Sequence, residues 1–264
     1  MKTRIISGIV MGAIVAAVLV VGYLWTPMAI TVAIAFLAVA ALYELVCNAA
    51  GVKEYTVLLG VCCYAALTVI FGKTFSFKGI LTTTALYGIY AVIMILINHK
   101  DFDLGKIAFV YGLPVPFAIA FYALNVIINR VGGIYYLLLL FNFSCICDMG
   151  AYFTGVTIGK HKLCPEISPK KTVEGALGGI VASIIFTVII SIIFKKFSIA
   201  VLLLTVPLCI LGMLGDLFAS AIKRSVGLKD YSNLIPGHGG IMDRLDSIIM
   251  IAPSMLVLRF WGII

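Results

Sequence analysis

The residues best suited to chemistry lie between Gly215 and Ser247, where a largely apolar sequence becomes polar. Carboxylate oxygens are hard ligands of the kind that Mg²⁺ takes, and Lys and Arg side chains suit phosphate oxygens. The segment therefore predicts metal-dependent phosphate chemistry. Its carboxylates are Asp216, Asp243 and Asp246, and its cations are Lys223, Arg224, Lys229 and Arg244.

Spacing groups some of these residues on helices. Asp216, Ser220 and Lys223 follow at i, i+4 and i+7, which places them on one stripe of a helix. A carboxylate inside an apolar span is costly and is by default functional. Lys223 and the neighbouring Arg224 are equally well explained as the positive flank of a membrane span.

Asp243 and Asp246 are one helical turn apart and can face one point, where a metal would neutralise both. The alternative is a structural ion pair with Arg244. The turn before this helix contains Gly237, His238, Gly239 and Gly240, and it leads into a helix N-terminus, where free N–H groups favour phosphate. Such a turn can also simply end a loop, and a lone histidine there is often only solvated.

A second candidate region lies upstream. Asp148 and Tyr152 share a helical face, and a hydrogen bond between them is the simpler alternative to a functional role. The loop at 160–174 predicts a phosphate-binding group of Ser168, Lys170, Lys171 and Thr172, although attraction of a basic loop to anionic lipid explains the lysines nearly as well. Glu44 is interpreted as an interfacial acid and is left out of the site.

Composition indicates the protein class. The 264 residues are 63% hydrophobic and 11% charged, with a mean hydropathy of +1.19, which is far more apolar than a soluble domain. We predict an all-α, polytopic integral membrane protein forming a single domain, 1–264, with scaffold helices in 1–130 and catalytic helices and loops in 131–264. About nine runs are long enough to span a bilayer, the first being an uncleaved span: 5–25, 27–47, 55–71, 80–98, 107–129, 133–159, 175–194, 199–222 and 241–263.

Charge between these runs predicts orientation. Twelve Lys and Arg residues fall in segments on the side of the N-terminus and five on the other side, which places the N-terminus and the loops 160–174 and 223–240 in the cytoplasm. The net charge of +8 forms no basic tail, so nucleic acid is not an expected partner. The twelve are Lys2, Arg4, Lys53, Lys100, Lys106, Lys160, Lys162, Lys170, Lys171, Lys223, Arg224 and Lys229; the five are Lys73, Lys78, Arg130, Lys195 and Lys196.

The pattern from Ser220 to Asp246, Ser-x2-Lys-Arg-x4-Lys-Asp-x5-Pro-Gly-His-Gly-Gly-x2-Asp-Arg-x-Asp, resembles the signature of phosphatidate cytidylyltransferases, also called CDP-diacylglycerol synthases. Asp148-x3-Tyr152, followed by Ser-Pro-Lys-Lys-Thr-x-Glu-Gly from Ser168 through Gly175 with Glu174 as its acid, resembles a second region of that family. These motifs cover about a quarter of the chain.

The resemblance implies the reaction of CTP with phosphatidate to give CDP-diacylglycerol and pyrophosphate, in the cell membrane and with its site on the cytoplasmic side. It implies Mg²⁺ bound by Asp216 and Asp243, with a monovalent cation such as K⁺ possible beside it, and a homodimer. It also implies catalytic roles for Asp246, Lys223, Arg224 and Arg244, phosphate contacts for Ser220 and Lys229, and supporting roles for Asp148, Tyr152 and Glu174. A CTP-dependent polyprenol kinase and an ion-coupled transporter remain open alternatives.

Overall fold

Helices account for most of the fold, as the apolar runs predict. The computed structural model describes residues 2–130 and 132–264, with side chains from residue 6 onwards. Lys2 and Arg4, which contribute to the predicted orientation, therefore lie outside the described side chains. The helices are α1 (Lys2–Leu24), α2 (Pro27–Tyr43), α3 (Tyr55–Ile97), α4 (Leu104–Ile107), α5 (Pro114–Asn129), α6 (Gly133–Phe141), α7 (Cys147–Ile158), α8 (Val173–Ile193), α9 (Ile199–Ser225) and α10 (Met242–Phe260).

Three π-helical turns extend or join these helices. They are Glu44–Ala49 after α2, Ala108–Gly112 before α5, and Asn142–Ile146 between α6 and α7. Such turns are rare in proteins, and those that occur often lie at functional sites. The first of them begins at Glu44, which is not among the predicted site residues.

Local sequence explains where several helices begin. Thr26 caps α2 by accepting a hydrogen bond from Met28 N, and Pro27 occupies the first helical position. Asp103 caps α4 by accepting from Lys106 N at 2.8 Å. Thr172 caps α8 in the same way, through Gly175 N at 3.1 Å. Polar residues at these positions thus divide the apolar sequence into separate helices.

The predicted class, an all-α polytopic membrane protein, is confirmed, whereas the count of nine spans is not. Within the described residues, seven helices are long and apolar enough to cross a membrane. One of them is the 43-residue α3, whose backbone breaks at Ser76 (φ 53°, ψ −135°), between the two runs predicted at 55–71 and 80–98. The helix α10 is not among the seven, because it carries Asp243, Arg244, Asp246 and Arg259.

A small antiparallel hairpin interrupts the helical pattern. Its strands are β1 (Lys162–Cys164) and β2 (Ser168–Thr172), with Lys162 opposite Thr172 and Cys164 opposite Ser168. The sequence predicts only a loop here. Glu174 holds the hairpin base, because its carboxylate accepts from Lys160 N at 3.1 Å and from His161 N at 3.2 Å.

The chain forms two compact units. Unit 1 contains residues 1–129 and 226–245, and unit 2 contains residues 130–225 and 246–264. The segment 226–245 is grouped with the first helices. The predicted single domain, with scaffold helices in 1–130 and catalytic helices and loops in 131–264, stays a prediction.

Each unit has its own packing. In unit 1, α2, α3 and α5 surround buried Leu42, Val61 and Ala118, and Thr31 Oγ1 donates to Asn125 Oδ1 at 3.1 Å. In unit 2, α7 packs closely on α8: a Cβ at Gly179 would lie 2.5 Å from Cys147 O. Small residues that let helix backbones approach are the usual basis of helix packing in membranes.

Candidate active site

Two carboxyl groups meet where α9 packs against α10 in unit 2. Asp216 on α9 and Asp246 on α10 are in hydrogen-bonding contact through their side chains. Gly215 permits this approach, because a Cβ there would lie 2.6 Å from Asp246 O. A side chain at position 215 would therefore push the two helices apart at the point where the acids meet.

Two lysines compensate the charge of this acid pair. Lys171 Nζ on β2 lies 2.5 Å from Asp216 Oδ2, and each of these two side chains is about one-quarter exposed (24% and 23%). Lys223 is only 7% exposed and acts electrostatically on both Asp216 and Asp246. Together these four residues form what we call the acid–lysine cluster.

Hydroxyl groups orient the two acids. Ser220 Oγ donates to Asp216 Oδ1 at 3.4 Å, one turn further along α9, as the predicted stripe requires. Ser247 N donates to Asp246 Oδ1 at 2.7 Å, and Ser247 Oγ lies 3.4 Å from the same oxygen. The carboxylates are therefore held by neighbours on their own helices.

The hairpin separates the four residues predicted to bind phosphate. Lys171 points to Asp216, while Lys170 is exposed. Thr172 is 6% exposed and its hydroxyl oxygen caps α8, so it has a structural partner in place of a phosphate. Ser168 begins β2 opposite Cys164 and is partly exposed. Alternation along the strand explains why adjacent residues differ in this way.

Asp243 lies in unit 1 and organises the loop before α10. Its Oδ2 accepts hydrogen bonds from Tyr231 N and Gly240 N, both at 2.9 Å, and the residue is 5% exposed. Asp216 belongs to unit 2. Within its own unit, Asp216 contacts the carboxyl group of Asp246, and the predicted pairing of Asp216 with Asp243 at one metal stays a prediction.

Glu44 is the residue that sequence reasoning missed. It is 3% exposed, and its carboxylate accepts from Ile241 N at 3.1 Å, Met242 N at 2.9 Å and Ser232 Oγ at 2.6 Å. Its oxygens therefore occupy the N-terminus of α10, where an anion is stabilised by free N–H groups and by the helix dipole. We call Glu44 and the backbone it binds the Glu44 clamp.

The Glu44 clamp changes the interpretation of the glycine-rich turn. The predicted phosphate cradle requires free N–H groups, but those of Gly240, Ile241 and Met242 donate to the carboxylates of Asp243 and Glu44. A side chain at Gly240 would collide with the Glu44 carboxylate, and Gly239 has a φ of +84° that favours glycine. In the described structure, these two glycines allow protein carboxylates to reach the helix end.

The other predicted residues surround these features. His238 N donates to Ile235 O at 2.9 Å, and His238 Nδ1 lies 2.8 Å from Ser7 Oγ. Tyr152 is 67% exposed and its ring lies against Phe153. Gly237 and the side chains of Asp148, Arg224, Lys229 and Arg244 are exposed. Their predicted roles toward substrate stay predictions.

The donor set can be compared with the needs of a divalent cation. Within residues 2–130 and 132–264, no group of three or more His, Cys, Asp or Glu side chains is placed to coordinate a metal ion by itself. Mg²⁺, however, is usually bound by one or two carboxylates together with water and substrate phosphates. The adjacent oxygens of Asp216 and Asp246 fit that requirement, and Asp216 already holds a cation, the Lys171 ammonium.

Similarity to known proteins identifies the family. The model of the cytidylyltransferase family matches residues 2–261 of the chain. The chain belongs to the cytidylyltransferase family. This confirms the family predicted from the motifs.

Relatives with a more specific name cover part of this cytidylyltransferase. A phosphatidate cytidylyltransferase of Staphylococcus saprophyticus is 44% identical over 133 residues, which are 49% of this chain and 51% of the relative. One of Bacillus subtilis is 48% identical over 113 residues, 42% of each chain. One of Staphylococcus epidermidis is 35% identical over 179 residues, 66% of this chain and 68% of the relative. The chain thus spans about half the length of the first of these relatives.

Proposed function

We propose that this cytidylyltransferase transfers the cytidylyl group of CTP to phosphatidate, forming CDP-diacylglycerol and pyrophosphate for phospholipid biosynthesis. Family membership supports cytidylyl transfer, and the names of the relatives support phosphatidate as acceptor. The apolar helices support a lipid substrate taken from the bilayer. The cell membrane as location, the cytoplasmic position of the site and a homodimer are parts of this proposal.

The acid–lysine cluster is the observation that carries the proposal. Both substrates are polyanions, so their mutual repulsion is the main obstacle to reaction. Buried or half-buried ammonium groups at Lys171 and Lys223 can neutralise phosphate oxygens, while the exposed cations Lys170, Arg224 and Arg244 can bind the remaining phosphates. The residues would thus align the two phosphates and compensate their charge.

The chemical step needs little acid–base catalysis. The phosphate monoester of phosphatidate has a second pKa near ~6, so most of it is a dianion at neutral pH. One of its oxygens attacks the α-phosphorus of CTP, the new P–O bond forms, and the bond to the β-phosphate oxygen breaks to release pyrophosphate. The task of Lys171 and Lys223 is to hold the reacting oxygens in line and to stabilise the charge that develops on the leaving group.

We propose that Asp216 and Asp246 hold Mg²⁺ together with substrate phosphates and that a monovalent cation such as K⁺ binds beside them. A divalent cation at this place would supply Lewis-acid stabilisation of phosphoryl oxygens. Lys171 would then release Asp216 and bind a substrate phosphate. Asp216 would exchange an ammonium group for a divalent cation, and Lys171 would exchange a carboxylate for a phosphate.

The proposal can be tested by following a phosphorus label from CTP into the products. Purified protein in lipid nanodiscs is given phosphatidate with CTP labelled at either the α- or the γ-phosphorus. We expect label from the α-position in a CDP-lipid and label from the γ-position in pyrophosphate. Transfer of γ-label to a lipid alcohol would indicate a polyprenol kinase, and ion flux without CTP would indicate a transporter. Either result, without a CDP-lipid, contradicts the proposal.

A further inference from the structure

An apolar groove lies between α9 and α10 in unit 2. It measures about 400 Å³, and its walls include Leu204, Pro207 and Leu211 from α9 and Pro253, Val257 and Leu258 from α10. Leu208, 3% exposed, forms part of the lining between them. The groove therefore lies on the same two helices that carry Asp216 and Asp246 of the acid–lysine cluster.

Two prolines and one serine determine the shape and the polarity of the groove. Pro207 and Pro253 stand inside their helices, where a proline has no N–H and its ring displaces the preceding turn. Ser254, the polar residue of the lining, donates its hydroxyl to Met250 O at 2.9 Å. The serine hydroxyl is thus engaged by its own helix, and the groove offers chiefly apolar surface.

The groove lies at the depth of an acyl chain attached to a phosphate at the cluster. At 1.5 Å of rise per residue, Leu211 and Leu204 lie about 8 Å and about 18 Å along α9 from Asp216. On α10, Pro253 and Leu258 lie about 10 Å and about 18 Å from Asp246. The groove thus runs from about 8–10 Å to about 18 Å from the two acids, along the path that an acyl chain takes from a phosphate bound at the cluster.

We propose that this groove binds one acyl chain of the phosphatidate substrate. The inference rests on the proposed function, because the phosphate at the cluster fixes which lipid enters. Lipid tails are as apolar as leucine, so the groove gains no affinity merely by excluding water. It selects by shape: the chain that fits between Pro207 and Pro253 directs the phosphate of that lipid to Lys171 and Asp216.

Two groove-filling variants and a matched control test the proposal. Leu204→Trp and Val257→Trp place an indole in the groove, one from each helix. Leu203→Trp adds the same ring to α9 at a residue that is 69% exposed and lies outside the lining. Each protein is assayed with dioleoyl and with dihexanoyl phosphatidate, because the short chains end before most of the groove.

We expect both groove variants to raise KM for the dioleoyl substrate on the order of tenfold, the scale of a misfit in a hydrophobic pocket. The KM values for CTP and for the dihexanoyl substrate should stay as in the wild type, and Leu203→Trp should behave as the wild type throughout. A diazirine placed in the acyl chain of phosphatidate should label wild-type residues within 204–211 and 253–258, which tests the site even where a variant folds poorly.

The outcomes separate this inference from the function itself. Wild-type protein that forms no CDP-lipid from either substrate contradicts the proposed function. An active enzyme whose groove variants treat both substrates alike, with photolabel elsewhere, contradicts only the acyl-chain site. A change of oligomeric state in Leu204→Trp and Val257→Trp, with unchanged lipid kinetics, would assign the groove to a second copy of the chain and overturn the proposal.

Discussion

Replacing Glu44 by Gln should destabilise the protein more than the same change at an interfacial acid that only ends an apolar run. The Glu44 carboxylate accepts two backbone N–H groups and one hydroxyl. Gln keeps one acceptor oxygen and places an NH₂ group against a buried N–H donor, whichever way the amide is turned. One unsatisfied buried donor costs about 1–3 kcal/mol, and the remaining bonds lose their charge assistance. We estimate a total loss of about 2–4 kcal/mol.

Thermal unfolding and limited proteolysis of the loop at 226–241 measure this effect. A loss of that size lowers the melting temperature by about 5–15 °C in a chain of this length. Glu54→Gln removes the same charge from a residue whose side chain makes no capping hydrogen bond, and it serves as the control. The reasoning would be refuted if Glu44→Gln melted with the control and its loop were cleaved no faster.

A double-mutant cycle with Gly240 isolates the Glu44 clamp. Gly240→Ala places a Cβ where the Glu44 carboxylate lies, so it should damage the wild-type protein strongly. In a Glu44→Ala background the collision disappears, and the second substitution should cost less. We expect a coupling of about 0.5–3 kcal/mol. Strict additivity of the two changes would show that the carboxylate and the glycine do not depend on each other.

Four further predictions concern the cluster and the topology. Asp216→Asn and Asp246→Asn should each insert normally and lose most cytidylyl transfer, with partial rescue by Mn²⁺; near-normal turnover of both contradicts the metal assignment. Lys171→Ala should raise KM for CTP and tighten binding of Mn²⁺ in the absence of CTP, as measured by electron paramagnetic resonance; unchanged binding contradicts the exchange role. Gly215→Ala should lower both melting temperature and kcat, because its Cβ meets Asp246 O; wild-type values would argue against close packing there. A cysteine at Lys162 should react with an impermeant reagent only from the cytoplasmic side; labelling from outside reverses the predicted orientation.

The sequence predicts the class of the fold well because hydropathy is a local property. A run of about 20 apolar residues is enough to indicate a span, whatever its neighbours do. Finer features depend on contacts that no window contains. The break at Ser76 lies between two predicted runs, yet both runs belong to one long helix in the structure. The hairpin at 162–172 is held by Glu174, which lies at the start of the next helix.

The absence of distant contacts from a sequence window also explains which residues of the candidate site can be predicted. Asp216, Ser220 and Lys223 share one helix, so their spacing predicts their grouping. Glu44, in contrast, binds residues 188 to 198 positions away. One signal was available: Ile241, directly before α10, has no side-chain oxygen to cap that helix, so a distant acceptor was needed. The rule that an embedded acid is functional selects Asp216 and Glu44 alike.

The four carboxylates fall into two groups according to what compensates their charge. Glu44 and Asp243 accept backbone N–H groups, whose dipoles are fixed by the fold, so releasing either carboxylate would require the loop to open. Asp216 and Asp246 are compensated by the side chains of Lys171 and Lys223, with Ser247 N as a further donor to Asp246. A lysine can exchange a carboxylate for a phosphate without disturbing the backbone, and the carboxylate it leaves can take a metal ion. The first pair is thus suited to positioning and the second to chemistry, which is why we place the reacting phosphates on Lys171 and Lys223, beside Asp216 and Asp246, and assign the shape of the loop to Glu44 and Asp243.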